Sequence, residues 1–133
     1  MSVAHLRLRN QRLIGTPLAT AADVVAWFGA VQAQDDAAAT WAVALRTRGA
    51  VAHDVERACD DGQILRTHVL RPTWHFVAPA DLRWLLALSA PRVKQAMAYY
   101  HRQLELDERT FRRSNAVLAR ALAGTQLTRA ELA

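Results

Sequence analysis

Cysteine is nearly missing from this chain: Cys59 stands alone, which excludes an internal disulfide and a thiolate metal cluster. In a helical setting Cys59 reads first as a small packed hydrophobe, with a nucleophile as the alternative. Lysine is as scarce, since of 17 basic residues only Lys94 is not arginine. No apolar run approaches the roughly 18 residues needed to span a membrane, and the N-terminus lacks a signal-peptide core. The chain therefore reads as cytoplasmic. Glycine-rich phosphate loops and GxSxG elbows are missing. His5, His53, His68, His75 and His101 show no metal-ligand spacing, so neither metal nor cofactor is expected.

What is present is a globular composition, 52% hydrophobic and 22% charged over 133 residues, enough for one modest core. The net charge of +5 favours polyanionic partners, and the arginine bias suits bidentate phosphate contact. A GC-rich genome produces the same bias.

The punctuation is mostly helical. Val3 to Ile14 carries an apolar stripe that Gly15-Thr16-Pro17 ends. Thr20 offers an N-cap with Asp23 three residues on, and Val24, Val25, Phe28 and Val31 fall on one helical face. Asp36 is placed to cap a helix running through Trp41 and Leu45 toward Gly49, and a short helix follows from His53 to Asp61. Gln63 to Val69 and Thr73 to Val77 are rich in β-branched and aromatic residues with Pro72 between, which predicts two antiparallel strands. Pro79 then opens a helix, Pro91 restarts the chain in another, and Asp107 caps a last one ending at Gly124. The predicted fold is mainly α with a small β-hairpin, a winged helix related to the helix-turn-helix. Residues 1–126 form that domain with its C-terminal helices. Thr128 to Glu131 reads as a capping box, so 127–133 is expected to begin a further, truncated helix or domain.

Three features carry candidate chemistry. Gln32 and Gln34 flank Ala33, and two amides that share one direction can orient one water. Residues two apart diverge on a helix, so this requires extended or turned backbone there. The alternative is one glutamine capping a helix end and one solvated, and Asp35 has an ordinary capping reason to exist. The second feature is the strand segment, where Arg66, His68, Arg71, Thr73 and His75 alternate with Val69, Leu70, Trp74 and Phe76. Alternation puts Arg71, Thr73 and His75 on one face, suited equally to contacting phosphates, lining a site or lying in solvent. The third is the last helix, where Arg109, Arg112, Arg113 and Arg120 fall within roughly a 100° arc opposite Phe111, Leu118 and Leu122. Such a stripe suits a DNA backbone, and it also suits plain solvation.

Two of these motifs, Gln32-Ala33-Gln34-Asp35 after an apolar helix and Leu70-Arg71-Pro72-Thr73-Trp74-His75-Phe76-Val77 in the strand region, resemble the AlkZ-like (YcaQ-like) winged-helix DNA glycosylases. The resemblance implies the first unit of a tandem winged-helix protein that excises alkylated or crosslinked bases from double-stranded DNA. Members carry a catalytic Gln-apolar-Gln or Gln-apolar-Asp triplet, so Gln32 and Gln34 would inherit the water-positioning role. Asp35, Arg71, Thr73 and His75 would support the site, while Arg66, Arg109, Arg112, Arg113 and Arg120 would contact DNA. The competing expectations are a non-catalytic winged-helix DNA-binding module and an inactive fragment that folds only with a partner.

Overall fold

A computed structural model describes residues 2–70 and 73–133. Arg71 and Pro72, and with them the expected role of Arg71, lie outside the described residues. Six helices and one three-stranded antiparallel sheet are formed among those residues, and they divide into two compact units, Met1–Pro91 and Arg92–Ala133.

In the first unit, α1 (Val3–Asn10) is shorter than its sequence stripe and buries none of its residues. α2 (Ala21–Phe28) begins at a capping box in which the Thr20 hydroxyl accepts from the Asp23 N–H and the Asp23 carboxylate accepts from the Thr20 N–H. It ends where Gly29 adopts φ 72°, a conformation that glycine enters without a Cβ penalty. Val31 is consequently not on the helical face that its spacing suggested. It lies in strand β1 (Ala30–Gln32), an element the sequence pattern hid.

α3 (Asp36–Ala44) starts one residue earlier than expected. Asp35 is its cap, the Oδ1 accepting from the Ala38 N–H at 3.0 Å, while Asp36 is already in the first turn. The helix stops at Ala44 rather than near Gly49. α4 (Ala52–Asp60) follows, then the hairpin strands β2 (Leu65–Thr67) and β3 (His75–Val77). α5 runs without a break from Pro79 to Gln103, through Pro91. Proline removes only one donor from the helical ladder, and the 25 residues of this helix outweigh that single gap.

The sheet order is β1-β3-β2, with β3 in the centre. Its register pairs Val31 with Phe76 and Gln32 with His75 on one side, and Arg66 with Phe76 and Thr67 with His75 on the other. Because side chains alternate along a strand, each row across the sheet faces one way. The row through Phe76 faces the main core, which holds Val24, Val25, Ala33, Val43, Val55 and Ile64 from α2, α3 and α4 and their flanks. The opposite face meets a smaller cluster of Val69, Val77 and Leu85, with Ala30, Leu65 and Leu82 against it. The Ser89 hydroxyl lies 2.5 Å from the Val69 carbonyl, which joins α5 to the chain just past β2. The sheet is thus a partition with helices on both faces.

The second unit contains the end of α5 and α6 (Glu108–Ala121), capped by Asp107, whose side chain accepts from the Thr110 N–H at 2.7 Å. That bond holds the Asp107 carboxyl below its ordinary pKa. α6 buries none of its residues, and Leu118 and Leu122 remain about 40% exposed on the face expected to dock. A unit this small has too little interior to cover a helix face. Phe111 packs edge-on against His101 at 5.0 Å. At the end of the chain the Thr128 N–H and hydroxyl both lie 2.7 Å from Glu131 Oε2, so the expected capping box is formed.

Candidate active site

The glutamines sit where β1 runs out against β3. Gln32 is the last residue of the strand, and the Ala33 N–H donates to the Trp74 carbonyl at 2.7 Å, which carries the extended pairing one step further. Ala33 itself is fully buried in the main core. Gln32 and Gln34 are both exposed on either side of it. Gln32 thus closes the strand, and Gln34 lies at the bend between β1 and α3, outside any helix.

Gln34 is held by its amide. Its Oε1 accepts from the Trp74 N–H at 3.3 Å. An amide oxygen has two acceptor sites, so this bond leaves one lone pair and the whole NH2 group for another partner. Gln32 shares its row with His75 and Thr67 and opens onto a shallow depression that Phe28, Ala30 and Arg46 also line. Arg46 is committed to the scaffold there: its Nε donates to the Gln11 carbonyl at 2.8 Å and its Nη1 to the Ala42 carbonyl at 2.6 Å.

The supporting residues gather around Trp74. His75 is buried, and its Nδ1 lies 3.0 Å from the Thr73 carbonyl. His68 Nδ1 lies 3.2 Å from the same carbonyl, with its ring centred 3.9 Å from that of Trp74 and tilted by 39°. Two imidazoles therefore grip the residue before Trp74, whose own N–H grips Gln34. Thr73 takes part through its main chain. Asp35 caps α3, its Oδ1 accepting from the Ala38 N–H.

Arg66, expected on DNA, reaches the glutamine run with its guanidinium. Its Nε and Nη2 lie 3.1 and 2.9 Å from the Ala33 carbonyl. Its guanidinium also ion-pairs with Asp36 at 3.3 Å and lies 5.1 Å from the Trp74 ring centre. Sequence spacing gave no sign of this contact, because the two segments are distant along the chain. Arg109, Arg112, Arg113 and Arg120 are all exposed on α6, within the second unit. Arg109 and Arg113 border an open groove with Thr110 and Ser114. Cys59 packs against the main core; desolvation pushes its thiol pKa up, and Asp36 and Asp60 add to the shift. A thiol so placed is a poor nucleophile at neutral pH. Among the described residues no helix is long and apolar enough to cross a membrane.

A search of curated proteins returned no match. Among solved structures, the fold is similar to the DNA glycosylase AlkZ of Streptomyces sahachiroi, with a TM-score of 0.82 and 29% identity. That match covers 95% of this chain and 34% of the AlkZ chain, so this chain spans about a third of the length of that relative. The likeness agrees with a winged-helix arrangement of helices and a small antiparallel sheet. The family model described as "DNA glycosylase AlkZ-like" matches residues 25–133, a stretch holding the end of α2, all three strands and both glutamines. With most of its length and the whole of its candidate site inside that match, the chain belongs to the AlkZ-like DNA glycosylase family.

Proposed function

We propose that this chain carries the water-positioning half of a DNA glycosylase, with Gln32 and Gln34 presenting water to C1′ of a cationic, N7-alkylated purine nucleotide. One observation carries the reading. Two exposed amides flank a buried alanine where β1 runs out, and one of them is anchored through its carbonyl by the Trp74 N–H. Anchoring removes rotamer freedom before substrate arrives, which is where a neutral group gains catalytic leverage.

The chemistry suits so mild a site. A purine alkylated at N7 already carries positive charge and departs without a general acid. What remains is an oxocarbenium-like sugar that a positioned water must capture. Neutral amides supply no strong base, so undamaged bases, which need protonation to leave, are poor substrates. Arg109, Arg112, Arg113 and Arg120 on α6 suit backbone phosphates, where each neutralised charge releases counterions.

The test is release of N7-methylguanine from alkylated duplex DNA under single-turnover conditions, beside a Gln32→Ala/Gln34→Ala double variant. Release by the unaltered protein that falls by about a hundredfold or more in the variant supports the reading. Equal release by both removes the glutamines from the chemistry. No release by either, with salt-sensitive duplex binding retained, leaves a non-catalytic DNA-binding module.

A further inference from the structure

Arg66 occupies an edge strand, yet its guanidinium spans the neighbouring strand to reach the glutamine run. Arg66, Phe76 and Val31 form one row across the sheet, on the face turned to the main core. Along that face the Arg66 fork meets the Ala33 carbonyl with both Nε and Nη2, at 3.1 and 2.9 Å, and the Gln34 carbonyl with Nη2 at 3.4 Å. Its Nε also lies 3.3 Å from Asp36 Oδ1, in the first turn of α3.

These carbonyls need a partner. They fall where β1 has ended and α3 has not begun, so neither ladder accepts them. A main-chain carbonyl left without a donor costs free energy comparable to a lost hydrogen bond. A planar guanidinium with donors in a fixed fork can satisfy two of them and a carboxylate at once; a lysine ammonium has three donors but no planar fork to fix their geometry.

From this geometry we infer that Arg66 is a positioning residue for the Gln32-Ala33-Gln34 triplet rather than a DNA phosphate ligand. It fixes the backbone of the triplet from the core side while the amides of Gln32 and Gln34 work on the other. The inference rests on the proposed function for its catalytic consequence, and on the hydrogen-bond geometry alone for its structural one. Trp74 closes the arrangement: its ring lies 5.1 Å from the Arg66 guanidinium and its N–H anchors Gln34. Arg66 thus acts on Gln34 through both the backbone it grips and the residue that orients the amide.

The experiment compares Arg66→Ala, Arg66→Lys and the unaltered protein by two independent readouts. The first is base release and duplex binding. For Arg66→Ala, single-turnover release of N7-methylguanine falls about ten- to hundredfold, while duplex Kd and its salt dependence stay unchanged. Arg66→Lys restores part of that loss. A phosphate ligand would do the opposite, weakening binding and lowering the salt slope by about 1 with release at saturating protein preserved; that result overturns the inference.

The second readout needs no catalysis. The Trp74 amide, protected by Gln34, exchanges its hydrogen about tenfold faster or more in Arg66→Ala, while amides inside α3 keep their protection. If the unaltered protein releases no base, the proposed function fails and the inference still stands or falls here. Unchanged Trp74 protection overturns it, and so does a uniform loss across α3, which would signal general unfolding in place of a local release.

Discussion

Phe76→Ala lowers the unfolding free energy of the first unit by about 3–5 kcal/mol, the range for removing a fully buried aromatic ring and leaving its cavity. Phe76 is 1% exposed and projects from the central strand into the main core, with Val31 and Arg66 directly across the sheet on either side. Both edge strands therefore lose their common packing partner at once. Native domains keep only about 5–15 kcal/mol in total, so the substituted protein stands near the edge of folding. Urea unfolding followed by tryptophan fluorescence gives the number, with Leu118→Ala on the exposed face of α6 as the comparison. That second change is expected to cost no more than about 0.5 kcal/mol. A loss under about 1 kcal/mol for Phe76→Ala would deny the sheet its place as organiser of the unit.

The second large effect is on the chemistry. Gln34→Ala slows release of N7-methylguanine by about a hundredfold with duplex affinity intact, because it deletes a pre-set acceptor and leaves the binding surface alone. Gln34→Glu stays within about tenfold of the unaltered rate, since a carboxylate oxygen still accepts from the Trp74 N–H and from water. The rate of the unaltered protein is flat between about pH 6 and pH 8, where neutral amides do not titrate. A rate that climbs over that interval would take the water from the amides and hand it to a titrating group. Single-turnover excision across pH separates these outcomes.

Much of this architecture was legible from local rules. Thr20 with Asp23 and Asp107 at the head of α6 each act over three or four residues, and each is found where the pattern put it. The β2–β3 hairpin is also local, and its alternation correctly sends His75 and Phe76 to opposite faces. The errors share a cause. Ala30–Gln32 is too short to show a period of two, and Val31 happens to continue the helical spacing of Val24 and Phe28. Only pairing with β3 makes it a strand, and that partner lies beyond α3, α4 and β2. Arg66 shows the same limit of local rules: its contact with the Ala33 carbonyl joins segments far apart along the chain. Asp35 and Asp36 are adjacent carboxylates with equal capping propensity, and the bend after Gln34 decides between them.

The order of the strands bears on when the site comes into being. β2 and β3 are neighbours along the chain and can zip in microseconds, whereas β1 must wait for the intervening helices to close a long loop. Gln32 closes an outer strand three residues long, and Gln34 lies just past it. The same strand is the first that can detach when the protein is warmed, since short edge elements open at a fraction of the global unfolding free energy. Strand docking and foldedness are then separate thresholds: a population can remain compact and hold its helices with β1 undocked.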